Sequence, residues 1–136
     1  MRMVGKLLLY LNAATAMAFG LRYITATTLM PYHIEFMAGS GSGNFSPAMV
    51  GLLLLLYKVI GFGFLALAAV TAILAAPAAR GNRPAWWALL AAGTVNLVPL
   101  TFLVLRIGHG APWWGSAVGF IILVVALGLV RPTGSS

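Results

Sequence analysis

Four apolar stretches, each long enough to cross a lipid bilayer, dominate this sequence and limit what it can fold into. A hydrocarbon core of about 30 Å takes roughly 20 helical residues, and backbone polar groups inside it must be hydrogen-bonded within the protein. The sequence therefore predicts an all-α membrane protein, a bundle of four antiparallel transmembrane helices in a single domain. We place the helices at residues 7–30, 47–76, 84–105 and 113–130, with an outer loop at residues 31–46. Pro31 is expected to stop the first helix and Pro77 the second.

Composition excludes several classes of protein. The chain is 62% hydrophobic and only 7% charged, whereas a soluble domain carries about 25% charged residues. It has no cysteine, which rules out disulfide scaffolds, thiol enzymes and cysteine-bound metal. It also has no aspartate, so a Ser-His-Asp triad cannot form. The net charge of +7 comes from singly spaced basic residues rather than a patch, so we expect no nucleic-acid partner.

Basic residues outside the four stretches predict the orientation of the chain in the membrane. The residues that fall on one face are Arg2, Lys6, Arg80, Arg83 and Arg131. The opposite face has only Arg106, at the end of the third helix. Because Lys and Arg accumulate on the cytoplasmic side, we expect both termini in the cytoplasm and a multi-pass protein of the cell membrane.

Polar side chains inside the apolar stretches are the main functional signal. Arg22, Lys58 and Asn96 lie on three different helices and are expected at similar depths in the outer half of the membrane. Small residues beside them predict that their faces point into the bundle. Glu35 is the only acid, so it cannot balance Arg22, Lys58 and Arg106, which we call the basic layer. The favoured interpretation is a protein that binds or transports a small anionic or lipid-like molecule. In it Arg22 and Lys58 hold the anion and Asn96 orients it, with Arg106 and Glu35 also in the binding site. Glu35, together with His33 and His109, would gate the site or titrate.

Two other functions stay open. His33, Glu35 and His109 all belong to the outer side and could form a metal or haem site of a small membrane enzyme, although no catalytic residue can be named. Alternatively, the chain is a non-catalytic accessory subunit whose charges meet partners and lipid headgroups. Gly115 and Gly119, one helical turn apart, predict either close packing within the chain or the contact face of a homodimer.

Some sequence motifs resemble those of known families. Phe19-Gly20-Leu21-Arg22-Tyr23 is similar to the start of the small fluoride channels, but the later signatures of those channels are absent. Small multidrug transporters share the size, yet they need a glutamate in the first helix, where this chain has Arg22. The Met-Pro-Tyr-His motif at residues 30–33, followed by a span containing Lys58, resembles uncharacterised bacterial four-helix membrane proteins. That resemblance implies the fold and a bacterial inner membrane, and it implies no activity.

Overall fold

The structure is a computed structural model that describes residues 1–39, 45–107 and 113–132, and this part of the chain is helical and contains no strand. Its helices are α1 (Arg2–Ile24), α2 (Pro31–Gly39), α3 (Pro47–Ala79), α4 (Arg83–Ile107) and α5 (Trp113–Leu129). The prediction of an all-helical protein is thereby confirmed for the described ranges. The last helix ends within one residue of its predicted limit.

Three of these helices can cross a membrane by length and composition. They are α1, α3 and α4, with 23, 33 and 25 residues. The fourth long helix, α5, is equally apolar but has only 17 residues. At 1.5 Å per residue α3 is about 50 Å long, so it must tilt or extend beyond a hydrocarbon core of about 30 Å.

The end of α1 differs from the prediction. The helix stops at Ile24 instead of continuing to residue 30, because the next residues favour other conformations. Three of them are threonines (Thr25, Thr27 and Thr28), whose β-branched side chains and competing hydroxyls weaken a helix. Pro31 then disfavours helical geometry at the residue before it, and itself begins α2. The predicted outer loop at residues 31–46 therefore contains a helix of nine residues.

The end of α3 also differs, because a glycine and not a proline stops it. Pro77 lies inside the last turn of the helix, where it removes one hydrogen bond. The chain turns at Gly81, which has a φ of 91° that favours glycine. The amide of Gly81 donates to Ala78 O at 2.9 Å and that of Asn82 donates to Pro77 O at 3.1 Å. Together these bonds form a Schellman motif. Asn82 Oδ1 then accepts from the Ala85 amide at 2.9 Å, which caps the start of α4.

The four long helices pack side by side, each against two neighbours: α1 on α3 and α5, and α4 on α3 and α5. We call the end where α1 begins and α3 ends the closed end, because a core of apolar side chains lies between the helices there. This core consists of Leu9, Ala75, Ala78, Ala85, Leu89, Leu123, Ala126, Leu127 and Val130. The Trp86 indole donates to Leu127 O at 2.8 Å and ties α4 to α5 there. The opposite end, where α1 ends and α3 begins, is the open end.

Candidate functional site

The contacts of the helices set the height of the predicted site residues along the bundle. A Cβ atom at Gly61 of α3 would lie 2.8 Å from the Gly20 carbonyl oxygen of α1. Arg22 follows Gly20 by two residues, and Lys58 precedes Gly61 by three. Because the helices are antiparallel, both cations lie on the same side of this contact, about 3 Å and about 4.5 Å from it along the bundle. Asn96 lies near them in height, since its Oδ1 is 3.8 Å from the position of a Cβ at Gly63. Because α1 stops at Ile24, Arg22 occupies its last turn.

The direction of these side chains is opposite to the expectation. Arg22, Lys58 and Asn96 are all exposed on the outside of the bundle, and Asn96 Nδ2 donates to Ala92 O of its own helix at 3.0 Å. The helix α1 turns a different face inward, composed of Gly5, Leu9, Asn12, Ala13, Ala16 and Gly20. Small residues mark the packed face of α1, as expected, but the glycines and alanines that are buried there lie on a different side of the helix from Arg22. A charged side chain also costs least where it can extend away from the core.

Counter-charges for the basic layer are missing from the described part of the chain. Glu35 is exposed on α2 and forms no ion pair there with Arg22, Lys58 or Arg106. Arg106 lies over the Phe102 ring, with its guanidinium carbon 5.0 Å from the ring centre. This cation–π contact partly stabilises the charge without neutralising it. The basic layer therefore carries positive charge that no described carboxylate compensates.

His33 takes part in a hydrogen-bonded group that joins α2 to α3. The Met30 amide donates to Tyr57 Oη at 3.2 Å, and Tyr57 Oη lies 2.6 Å from His33 Nδ1. The phenol proton is not used in the bond from Met30 and is available for Nδ1, an arrangement in which the proton of the neutral ring lies on Nε2. Burial lowers the pKa of His33 below its usual value of 6.5. The structure thus favours a neutral His33 that anchors α2.

Aromatic rings extend this group along α1. Tyr23 packs edge-on against Tyr57, with ring centres 5.5 Å apart, and its hydroxyl is 3.3 Å from that of Tyr32. Tyr32 Oη also donates to Met30 Sδ at 2.7 Å. Burial raises the pKa of Tyr32 well above its usual range. Phe64 then stacks on both Tyr23 and Phe19, at 6.1 and 5.8 Å.

The predicted metal site can be followed only in part. His109 lies outside the described residues, so its distance from His33 and Glu35 is not defined. Within the described ranges no cluster of three or more His, Cys, Asp or Glu side chains occurs. His33 is half-buried and bonded to Tyr57, whereas Glu35 is exposed. The metal or haem site stays a prediction.

A central cavity of about 40 Å³ is the feature that the sequence analysis missed. All four long helices line it, at the open end, and its walls include Asn12, Phe64, Leu97 and Ser116. The sequence signal was the spacing 12, 16, 19 and 23 in α1, which places an amide and two aromatic rings on one helix face. The charge of Arg22 instead led to the prediction that the site lies on the face of α1 that carries this residue.

Gly115 and Gly119 also face this cavity. A Cβ at Gly115 would lie 3.2 Å from Phe19 Cζ, and one at Gly119 would lie 3.9 Å from Asn12 Nδ2. The two glycines are thus used within one chain, as the packing alternative predicted. Both glycines are also half-exposed, and the homodimer contact stays a prediction.

The fold and these sites define the class of protein: a helical membrane protein, with three helices that are long and apolar enough to span a bilayer. Comparisons with protein-family models, with curated proteins and with solved structures found no match to the chain. The resemblance of the Met-Pro-Tyr-His segment to four-helix bacterial proteins accordingly stays an interpretation of the sequence.

Proposed function

We propose that the chain is a four-span integral membrane protein with both termini in the cytoplasm. Support for a fourth span comes from α5, whose 17 residues extend about 26 Å, close to the thickness of a thin hydrocarbon core. Support for the orientation comes from the position of the closed end, which lies beside Arg2, Lys6, Arg80, Arg83 and Arg131. An accumulation of basic residues of this kind is typical of the cytoplasmic side.

Within that arrangement, we propose that the protein binds the phosphate group of an anionic phospholipid through its basic layer. The observation that carries this proposal is the exposure of Arg22, Lys58 and Arg106 without a carboxylate partner among the described residues. An unpaired cation at membrane depth is costly, and a phosphate provides both a counter-charge and hydrogen-bond acceptors. The site would lie in the outer leaflet.

The surroundings of the cations favour a lipid over a solute carried inside the bundle. Large apolar side chains next to them are also exposed, among them Leu21, Val59 and Phe102. A ligand that reaches these cations therefore approaches from the side, where lipid is. Acyl chains can cover the apolar side chains while the headgroup meets the charges. The central cavity is different, since no charged residue of the described ranges lines it.

Native mass spectrometry can test the proposal. We would place the protein in nanodiscs of equal phosphatidylglycerol and phosphatidylcholine, and count the lipids that stay bound after release. We expect retained phosphatidylglycerol in the wild type and about tenfold weaker retention in the double variant Arg22→Gln/Lys58→Gln, the loss of about 1.4 kcal/mol. Retention should also fall with rising salt, because exposed charges are screened.

The matched control removes one of the cations at the other end of the bundle. Arg80→Gln takes away an exposed positive charge at the closed end and leaves the basic layer intact. We expect it to retain phosphatidylglycerol like the wild type. An equal loss in both variants, or no preference between the two lipids, would contradict the proposal. That result would favour the accessory-subunit alternative, in which the same cations meet a protein partner.

A further inference from the structure

The central cavity at the open end is independent of the basic layer, and its chemistry is different. Residues from α1, α3, α4 and α5 all line it, so it lies on the axis of the bundle. Its volume is about 40 Å³, and by the same measure one water molecule occupies about 10–15 Å³. The cavity therefore has room for about three water molecules or one organic molecule of similar size.

Asn12 provides the strongest indication that the cavity holds a ligand. Its side chain is only 4% exposed, and its Nδ2 donates to Gly119 O at 2.7 Å. The bond to a carbonyl fixes which end of the amide is the donor. The other end, Oδ1, accepts no hydrogen bond from any residue in the described ranges. Because Asn12 lines the cavity and this oxygen has no donor among the described residues, it favours a guest that donates a hydrogen bond.

The remaining walls determine the charge of that guest. They are aliphatic or aromatic apart from the amide of Asn12 and the hydroxyls of Thr15, Tyr23 and Ser116. Thr15 already donates to Leu11 O of its own helix at 2.9 Å. Among the residues that the structure describes, no lysine, arginine, histidine or acid lines the cavity. Because an unpaired charge is expensive to bury in such surroundings, an ion would be excluded while a neutral polar molecule would be accepted.

Glycine residues create the space. A Cβ at Gly119 would lie 3.9 Å from both Asn12 Nδ2 and Leu97 Cδ1, which is an ordinary van der Waals distance. An alanine there would take up part of the cavity without displacing its walls. At Gly128, also in α5, a Cβ would meet nothing within 4 Å. The chain thus provides a matched pair of positions for testing the site.

We infer that this cavity is a binding site for a small uncharged molecule of a few non-hydrogen atoms, which donates a hydrogen bond to Asn12 Oδ1. Hydroxyl and amide compounds of this size fit the description. Apolar contact with Phe19, Phe64 and Leu97 would hold the carbon part of the molecule. The basic layer would play no part in this binding.

The test uses 2-fluoroethanol as the probe, because it is neutral, donates a hydrogen bond and is visible by ¹⁹F NMR. Fluoroacetate, of similar size but negatively charged, is the comparison compound. We would measure line broadening of each at millimolar concentration with the protein in nanodiscs, and subtract the signal from empty nanodiscs. The expected result is saturable broadening of 2-fluoroethanol and none of fluoroacetate. Broadening that does not saturate, or equal binding of fluoroacetate, would overturn the inference.

Variants locate the binding within the molecule. Gly119→Ala reduces the cavity and Asn12→Ala removes the acceptor, and we expect each to weaken 2-fluoroethanol binding about tenfold or more. Gly128→Ala should bind like the wild type. Circular dichroism and size-exclusion chromatography establish whether each variant is folded. If Asn12→Ala does not fold, Gly119→Ala still tests the site. Unchanged binding in folded Gly119→Ala would show that the probe does not occupy this cavity.

Discussion

The two ends of the helix bundle solve the same packing problem in different ways. At the closed end, alanine, leucine and valine side chains form a buried core between the helices, and Leu9, Leu123 and Val130 have no exposed surface. At the open end, an amide, hydroxyls and aromatic rings surround a cavity. Between helices in a membrane, both van der Waals packing and hydrogen bonding contribute to stability. The closed end relies mainly on van der Waals packing, and the open end relies more on hydrogen bonds.

Glycine has opposite effects at the two ends. A Cβ at Gly5 would lie 2.9 Å from Ala126 O and 2.6 Å from Val130 Cγ1, so glycine lets α1 and α5 approach closely there. At Gly119 the nearest atoms are 3.9 Å away, and glycine leaves room. The same residue type in the same bundle therefore builds a tight contact at one end and a binding space at the other.

The largest effect is expected from Leu123→Ala at the closed end. This side chain is fully buried and packs against Gly93 of α4, so its loss leaves an empty space. We expect the free energy of unfolding in detergent to fall by about 2–3 kcal/mol, the lower part of the range for buried leucine because the membrane is itself apolar. Leu100→Ala, at the wall of the existing cavity, should cost less. Equal losses would mean that the two ends are packed alike.

Gly5→Ala should have the next largest effect. The added methyl group would press on the Ala126 carbonyl, which belongs to the backbone of α5 and cannot rotate away. We expect a loss of about 1–2 kcal/mol, measured by thermal unfolding. Gly119→Ala should be close to neutral, and Gly128→Ala should match or exceed the wild type because alanine favours a helix. A large loss in Gly119→Ala would contradict the presence of free space at the open end.

Thr101→Val tests the hydrogen bonds of the open end. Thr101 Oγ1 is 2.9 Å from Ser116 Oγ and 2.7 Å from Leu97 O, and valine keeps the shape while removing both contacts. We expect a loss of about 1 kcal/mol in the free energy of unfolding. Thr94→Val, on the exposed face of the same helix, is the control and should change stability little. If both variants behaved alike, the hydroxyl pair would not contribute to stability.

The smallest effect concerns pH. Burial lowers the pKa of His33 below its usual value of about 6.5. Well above that pH the His33 ring is neutral in both the folded and the unfolded chain, so its burial does not reduce stability through protonation. As the pH falls below that value, the unfolded chain binds a proton first, and folded stability decreases until the lowered pKa is passed. Thermal unfolding between pH 8 and pH 5 should show this decrease in the wild type and less of it in His33→Gln.

Hydropathy predicted most of the fold. Apolar stretches of about 20 residues have few alternatives to the helix, because unpaired backbone groups are too costly in lipid. The helix ends that differed from the prediction are those of α1 and α3, where local hydrogen bonds and residue preferences compete with the helix. Thr25, Thr27 and Thr28 shortened α1, and the Schellman motif at Gly81 replaced the stop expected at Pro77. The capping bonds that decide such limits are not visible in hydropathy alone.

The candidate site was harder to predict, since it depends on how each helix is rotated about its axis. Arg22 and Lys58 were recognised and lie at similar heights, but they face outward. Asn12, an isolated amide in an apolar run, was passed over and lies at the central cavity. The rotation of a helix about its axis depends on which of its faces fits the neighbouring helices. The sequence of one helix does not contain that information.

The sequence by itself determined that this protein is helical and apolar enough for a membrane, because its composition leaves little else that is stable. It also determined that positive charge outnumbers negative charge. Only the tertiary structure decided that the cations lie on the outside, that Gly115 and Gly119 open a cavity, and that His33 meets Tyr57. The physical reason is that these outcomes depend on contacts between residues far apart in the chain, where packing selects one helix face over another.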